Sequence, residues 1–147
     1  MFKNVLVPTD GSSLSQKAAI KGVALAKSVG AKVTALFAAP PATPIVYRNH
    51  LPVGFAQPGE HEQMIKRAAS KYFDAIEREA KKAGVRFEAV QVTSDFPDEA
   101  ILDAARKKKC DVIVMATSGQ GGVRGMFIGS VTQKVLNQSK VPVLVLR

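Results

Sequence analysis

The amino-acid sequence predicts an α/β fold in which a five-stranded, mainly parallel sheet is sandwiched by four helices. Three observations lead to this prediction. Short apolar runs alternate with longer segments whose apolar residues recur every three or four positions. Glycine and proline residues mark most of the junctions. The length of 147 residues suits one domain, spanning residues 1–147 without an internal repeat or a linker.

The first part of the chain predicts a strand, a helix and a second strand. Residues 5–7 are apolar and end at the turn-forming residues 8–11. From Ser13 the apolar positions follow a helical spacing, and Gly30 is suited to end that helix. Residues 33–38 then form the second strand.

The middle of the chain predicts an irregular connection, a helix and a third strand. Residues 39–60 contain five of the eight prolines, which argues against regular structure and indicates a lid or a spacer. An amphipathic helix follows and ends before Gly84. Residues 85–93 alternate in part and form the third strand.

The last part of the chain predicts two more helices and two more strands. Acidic residues 98–99 open the third helix. Residues 112–115 are uniformly apolar, which is typical of a strand buried in a parallel sheet. A short helix begins at Ser130, and residues 141–146 close the chain as the fifth strand.

Composition limits the classes of function. Apolar residues make up 46% of the chain, but none of their runs reaches the roughly 20 residues that cross a bilayer. The chain begins without a signal-peptide pattern, so we expect a cytoplasmic protein with no membrane segment. The single cysteine, Cys110, excludes an internal disulfide and a thiolate metal site. The net charge of +9 suggests an anionic partner, but the basic run at 107–109 lacks interleaved aromatics, which argues against nucleic acid.

A glycine-rich segment, residues 115–130, is the main candidate for a functional site. It holds five of the eleven glycines and leads from a buried strand into a helix at Ser130. Glycine lets the backbone approach an anion, and the first turn of a helix offers N–H groups and a positive dipole end. Ligands of parallel sheets bind where the strand order reverses. With the first strand central and the fourth beside it, residues 8–10 and 115–119 would line that crevice.

Two common nucleotide motifs are excluded. The chain contains no G-x-x-x-x-G-K-[ST] sequence, and its first strand is not followed by G-x-G-x-x-G. Reading that fingerprint from Gly119 instead places Arg124 where the third glycine belongs. A P-loop protein and a dinucleotide dehydrogenase are therefore both disfavoured.

Three segments carry a resemblance to a known family. They are Asn-Val-Leu-Val-Pro-Thr-Asp-Gly-Ser at 4–12, Asp-Val-Ile-Val-Met at 111–115, and Gly-Ser-Val-Thr at 129–132 followed by Val-Pro-Val-Leu-Val at 141–145. In sequence, order and chain length they resemble the universal stress proteins. The resemblance implies a Rossmann-like sheet of order 3-2-1-4-5. It also implies, for one branch of the family, ATP or AMP bound through a motif G-x-x-G-(nine residues)-G-[ST].

Laid on this chain, the motif departs at one position. Its middle and last glycines fall on Gly119 and Gly129 and its hydroxyl residue on Ser130, but its first glycine falls on Ala116. Alanine favours negative φ and adds a methyl group. Binding therefore requires this position to be extended, with its methyl turned away from the nucleotide.

The expected ligand contacts follow from chemistry and from the resemblance. Phosphate oxygens suit the backbone N–H groups of Gly119, Gly129, Ser130 and Val131, with the hydroxyls of Ser130 and Thr132. The Asp10 carboxylate suits ribose hydroxyls or a Mg²⁺ ion carried by the phosphates. The resemblance implies that Ala38 offers backbone groups to adenine. The predicted site comprises Pro8, Thr9, Asp10, Ala38, Met115, Ala116, Gly119, Gly129, Ser130, Val131 and Thr132.

Three classes of function stay open. The first is an adenosine nucleotide-binding protein of stress response or signalling. The second is an enzyme such as a nucleotidyl transferase; the crevice offers no histidine or carboxylate pair, so we expect no catalytic residue and at most slow ATP hydrolysis. The third is a dimerisation module that binds no nucleotide, which Ala116 supports. Individually, Ser130 is also a good helix N-cap and Asp10 a common turn residue.

The last strand predicts the oligomeric state. Residues 141–146 are apolar on both faces, yet this strand should lie at the edge of the sheet. Unpaired backbone groups at such an edge invite another strand. We therefore expect a homodimer that pairs the C-terminal strands of two copies.

Overall fold

The computed structural model describes residues 1–42, 46–48, 51–53, 58–119 and 127–147. For residues 46–48, 51–53 and 58 this description is limited to the backbone. The elements in chain order are β1 (Asn4–Pro8), α1 (Ser13–Val29), β2 (Lys32–Ala39), β3 (Val46–Arg48), β4 (Leu51–Val53), α2 (Pro58–Ala83), β5 (Phe87–Thr93), α3 (Pro97–Lys107), β6 (Val112–Ala116), α4 (Ser130–Gln138) and β7 (Val143–Leu146).

The main sheet has five strands in the order β5-β2-β1-β6-β7, and all of its pairings are parallel. Numbered among themselves along the chain, these strands give the order 3-2-1-4-5, which confirms the prediction. The first strand is central: Val5 pairs with Val33 of β2 on one side and with Val112 of β6 on the other. The strand order reverses between β1 and β6, the position at which α/β proteins of this kind bind ligands.

Helices cover both faces of the sheet, and successive residues of each strand serve opposite faces. Val5 and Val7 of β1 belong to a core layer that includes side chains of α1 and α2. Leu6 of the same strand belongs to the other layer, with side chains of α3 and α4. Because both faces of the central strands are buried, their sequences are apolar without alternation.

Polar bonds join the strands at the end of the sheet where β1 begins. The Asp111 carboxylate accepts the backbone N–H groups of Lys3 at 2.8 Å and Asn4 at 3.1 Å. The Asn4 side chain in turn accepts the hydroxyl of Thr34 at 3.0 Å and donates to the Lys108 carbonyl at 3.0 Å. These bonds fix β1 between β2 and β6, so that the opposite ends of the three strands lie together.

The basic run at 107–109 lies at the C-terminal end of α3, as its sequence suggests. The Lys107 ammonium pairs with the Asp103 carboxylate at 2.6 Å, and Lys108 pairs with Glu88 of β5. The hydrogen bond from Lys108, helped by the charges of Lys108 and Lys32, holds the pKa of the Glu88 carboxyl below its usual value.

The connection between β2 and α2 differs from the prediction. It was expected to be irregular over residues 39–60, but β3 and β4 form a separate antiparallel pair, and α2 already begins at Pro58. The prolines permit this because a two-stranded ribbon leaves one edge of each strand unpaired, which accommodates Pro52. Pro58 occupies a helix start, where its missing N–H costs nothing.

Other element boundaries shift only slightly. The third strand of the main sheet begins at Phe87 and the last at Val143, each two residues after the predicted start. Gly30 ends α1 in the left-handed conformation, with φ of 70°, as predicted. Over the described ranges, every helix is too short or too polar to cross a bilayer.

Candidate functional site

A cavity of about 410 Å³ opens at the carboxyl ends of β1, β2 and β6, where the strand order reverses. All of the predicted binding residues line it. The lining consists of Pro8, Thr9, Asp10, Ser15, Leu36, Ala38, Pro97, Ile101, Met115, Ala116, Ser118, Gly119, Gly129, Ser130, Val131 and Thr132. Its volume lies within the range of small-molecule sites, roughly 300–1,000 Å³.

Five lining residues were not predicted: Ser15, Leu36, Pro97, Ile101 and Ser118. Leu36 could have been found, because it lies two positions before Ala38 and therefore shares its face of β2. Pro97 and Ile101 lie on α3, and the sequence carried no signal that this helix borders the crevice. Leu36 and Ile101 are buried and, with Met115, form an apolar wall suited to a flat ring.

The loop after β1 is fixed by its own side chains. The Asp10 carboxylate accepts the Ser12 N–H at 2.9 Å and the Ser15 hydroxyl at 2.8 Å. The Thr9 N–H donates to the Leu36 carbonyl at 2.8 Å, which extends the bonding between β1 and β2. Gly11 adopts a φ of 80°, a conformation that glycine reaches without strain. The carboxylate is thereby held at the mouth of the cavity.

Gly119 lies against Asp10 from the other side of the crevice. A Cβ atom at Gly119 would be 2.0 Å from Oδ2 of Asp10. The loop after β6 therefore reaches the loop after β1 only because position 119 has no side chain. This contact joins the two loops that line the predicted phosphate and ribose site.

The N-terminus of α4 faces the cavity and is capped by a glycine. Gly129 is the N-cap residue, and no side chain in the described part of the chain caps this helix. By contrast, the Ser12 side chain at the start of α1 accepts the Ser15 N–H. The first N–H groups of α4, those of Ser130 and Val131, border the cavity and stay suited to an anion.

Three sequence-based assignments at this helix need correction. The Gly129 N–H donates to the Thr117 carbonyl at 2.7 Å, so it is used in closing the loop rather than kept for phosphate. The Thr132 hydroxyl is buried and donates to the Ala116 carbonyl at 2.9 Å, which anchors α4 on β6. Ser130 is the first helical residue and not the N-cap. Residues 120–126, including Arg124, lie outside the described part of the chain.

Cys110 and His61 are not among the residues that line the cavity. Cys110 is buried, and this burial raises the pKa of its thiol. The His61 ring nitrogen Nε2 lies 2.9 Å from the Pro40 carbonyl oxygen on the surface, and His50 lies outside the described residues. Within the described ranges, no group of three or more histidine, cysteine or acidic side chains could hold a metal ion.

Comparison with known proteins assigns the chain to a family. The model of the "Universal stress protein family" matches residues 1–147. The chain belongs to the universal stress protein family. A universal stress protein of Thermus aquaticus is 33% identical, with all of both chains covered. The universal stress protein YxiE of Bacillus subtilis is 32% identical, again over the whole of both chains.

Solved structures of universal stress proteins share this fold. One, in complex with cAMP, is 24% identical, with a TM-score of 0.71 over 99% of this chain and 97% of that one. The structure from Archaeoglobus fulgidus in complex with dAMP is 17% identical, with a TM-score of 0.66 over 100% and 98%. The protein from Arabidopsis thaliana with AMP bound is 16% identical, with a TM-score of 0.65 over 98% and 90%.

Ala116, the departure of this universal stress protein from the nucleotide motif, has the geometry that binding requires. It is the last residue of β6 and pairs with Leu146, so its backbone is extended. Its neighbour Met115 belongs to the core layer on the cavity side, whereas Val114 belongs to the layer under α1 and α2. By alternation along the strand, the Ala116 methyl lies on the side of Val114, away from the apolar wall.

Proposed function

We propose that this chain binds an adenosine nucleotide, ATP or AMP, in the 410 Å³ cavity and acts in stress response or signalling, either without catalysing a reaction or with slow ATP hydrolysis at most. One observation carries the proposal. The glycine-capped N-terminus of α4 and the Asp10 carboxylate line the same cavity. The helix N-terminus suits a phosphate group and the carboxylate suits ribose hydroxyls, and a nucleoside phosphate carries both.

Phosphate would bind at the start of α4. The backbone N–H groups of Ser130 and Val131 and the exposed hydroxyl of Ser130 are the donors there. The positive end of the helix dipole adds to their attraction for an anion. The net charge of +9 further favours an anionic ligand over a neutral one.

Adenosine would occupy the remainder of the cavity. Leu36, Ile101 and Met115 supply an apolar wall for the base, and the backbone of Ala38 lies at the end of the same strand as Leu36. The Asp10 carboxylate suits the ribose hydroxyls. The related complexes with cAMP, dAMP and AMP support an adenine nucleotide, since adenine and phosphate are common to all three.

A Mg²⁺ ion fits this site as a companion of the phosphates. Mg²⁺ is usually bound through one or two carboxylates together with substrate phosphates. Asp10 can supply one such carboxylate at the cavity mouth. The ion would neutralise phosphate charge there.

Catalysis is not expected from the side chains at the cavity. Among its described lining residues there is neither a histidine nor a second carboxylate, so an acid–base pair is not assembled. Ser130 has no general base beside it in this set. We therefore propose slow ATP hydrolysis at most.

The decisive experiment changes the N-cap of α4. A Cβ atom at Gly129 would lie 3.3 Å from Cα of Ser118 and 3.4 Å from the Thr117 carbonyl oxygen, so Gly129→Val crowds the loop where phosphate would bind. The φ of −63° at Gly129 is one that valine can adopt, so we attribute the expected loss of binding to steric crowding and not to backbone strain. We expect calorimetry to detect AMP and ATP binding by the parent chain and none by Gly129→Val.

Gly59→Val is the matched control, because the described surroundings of Gly59 leave nothing within 4 Å of an added Cβ. It should bind both nucleotides like the parent. Mass spectrometry of the nucleotide released from the purified parent chain is the companion measurement. If a folded Gly129→Val retains the parent affinity, phosphate does not bind here. A parent chain that binds neither nucleotide would favour the dimerisation module instead.

A further inference from the structure

The loop that carries Asp10 is covered from behind by a ring of α2. A Cβ atom at Gly11 would lie 2.0 Å from Cζ and 2.5 Å from Oη of Tyr72, so the tyrosine ring rests directly on the Gly11 backbone. Thr9 and Asp10 on this loop line the cavity, whereas Tyr72 does not. The ring therefore touches the loop from the side away from the cavity.

Tyr72 is itself held in place by β2. Its ring meets the buried ring of Phe37 edge-on, with centroids 5.2 Å apart and planes at 87°. Such edge-to-face pairs are favourable beyond the area they bury. Phe37 lies between Leu36 and Ala38, which both line the cavity, so one strand supports the ring and forms the wall.

A second contact joins the same helix to the same loop. The Gln16 side chain donates to the Tyr72 carbonyl at 3.3 Å, and its Oε1 atom accepts the Thr9 hydroxyl at 3.4 Å. The Thr9 hydroxyl also accepts the Gly11 N–H at 3.2 Å. The helix α2 is thus linked to the loop both by the contact of the Tyr72 ring and by a series of hydrogen bonds.

We propose that Tyr72 is a positioning residue for nucleotide binding, which fixes the loop of residues 9–11 so that Asp10 faces the ligand. This inference rests on the proposed function, since Asp10 is the group that acts on the nucleotide. We assign this role to the ring, because its atoms Cζ and Cε1 lie 2.0 and 2.3 Å from the position a Cβ atom would take at Gly11, nearer than Oη at 2.5 Å. Removing the ring would leave the loop free to move away from the cavity.

The test compares AMP affinity by calorimetry for the full chain and three variants. Tyr72→Ala should bind AMP about tenfold more weakly, a typical effect for a residue one step removed from a ligand. Tyr72→Phe keeps the ring and should bind like the parent. Phe73→Ala is the control for general loss of packing, because Phe73 lies beside Tyr72 on α2 and is partly buried against the core. It should also retain affinity.

Two further measurements separate this role from stability and from the proposed function. In an Asp10→Asn background, most of the loss caused by Tyr72→Ala should disappear, since both changes act through one carboxylate. Without nucleotide, amide exchange at Gly11 and Ser12 should be faster in Tyr72→Ala than in the parent or in Phe73→Ala. Their N–H groups donate to Thr9 and Asp10, so exchange reports the loop directly.

The outcomes are distinct. Unchanged exchange in Tyr72→Ala, unchanged AMP affinity, or an equal loss in Phe73→Ala would each overturn the positioning role. A parent chain that does not bind AMP would instead overturn the proposed function. The exchange measurement would still decide whether Tyr72 holds the loop.

Discussion

Asp10 and Gly119 meet at the cavity mouth, and their contact leaves no room for a side chain at position 119. A methyl group there would have to displace the Asp10 carboxylate, which accepts hydrogen bonds from Ser12 and Ser15. Overpacking of this kind costs about 1–3 kcal/mol. We expect Gly119→Ala to weaken AMP binding about 10- to 100-fold by calorimetry.

An Asp10→Ala background tests whether crowding of the carboxylate causes this loss of affinity. If crowding of the carboxylate is the cause, Gly119→Ala should add no further loss in an Asp10→Ala chain, where the space has been opened. Gly59→Ala, at a position open in the described surroundings, should bind like the parent. A full additional loss in the double variant would show that Gly119 matters for another reason, such as its own N–H group.

At this scale the sequence predicted which residues line the cavity better than what each one does. The motif spacing identified Gly129 and Ser130, the hydroxyl chemistry added Thr132, and all three lie at the cavity. The sequence could not show that the Gly129 N–H and the Thr132 hydroxyl already have internal acceptors. Such acceptors are carbonyls of β6 and its following loop, and which carbonyl a donor reaches depends on how the loop closes.

Two substitutions in the first turn of α4 should separate the effect on AMP affinity from the effect on the free energy of unfolding. Ser130 is exposed, and its side chain caps no helix in the described part of the chain, so Ser130→Ala should leave the free energy of unfolding within about 0.5 kcal/mol of the parent. It should lower AMP affinity about 10- to 100-fold, since a hydrogen bond to a charged group contributes about 1.5–3 kcal/mol. Denaturant unfolding and calorimetry measure the two effects.

Thr132→Val should show the opposite pattern. It removes the hydroxyl that donates to the Ala116 carbonyl, so this buried hydrogen bond is lost. The expected destabilisation is about 1–3 kcal/mol, with a smaller change in AMP affinity than in Ser130→Ala. Equal affinities for Ser130→Ala and the parent would exclude the Ser130 hydroxyl as a phosphate donor.

Helices and strands whose apolar residues recur at a regular spacing could be predicted from the sequence, whereas features that depend on tertiary contacts could not. The buried strands and α1 to α4 follow from apolar spacing and from Gly30. The pair β3 and β4 was missed because prolines usually indicate loops, whereas a short ribbon tolerates Pro52 at its open edge. No local signal in α3 indicates that Ile101 reaches the cavity, because that depends on how the helix lies across the sheet.

At the scale of the whole molecule, β7 is an edge strand that pairs with β6 alone within the described main sheet. Leu144 on this strand is 44% exposed, although the residues around it are apolar. An exposed apolar edge favours pairing with a second copy. We propose a homodimer through β7 and expect light scattering to give twice the 15.7 kDa of one chain at micromolar concentration.

Leu144→Glu should shift the protein towards the monomer, because it would place a charge between the two paired β7 strands of the dimer. Met64→Glu is the control: Met64 is also exposed, at 55%, but lies on α2. It should remain dimeric. A parent chain that scatters as a monomer at this concentration would end the proposal of a dimer.

The central place of β1 has a consequence for synthesis. Asp111 joins β1 to a part of the chain 108 residues away from Lys3, and one wall of the cavity comes from residues 115–116, 118–119 and 129–132. While the chain is being made, β1 can pair with β2 long before β6 exists. A chain that stops before β6 would leave the second edge of β1 unpaired and would lack α4, which contributes to the core layer of Leu6. Such a fragment presents the kind of surface that chaperones recognise, and it would lack the helix N-terminus at which we propose that phosphate binds.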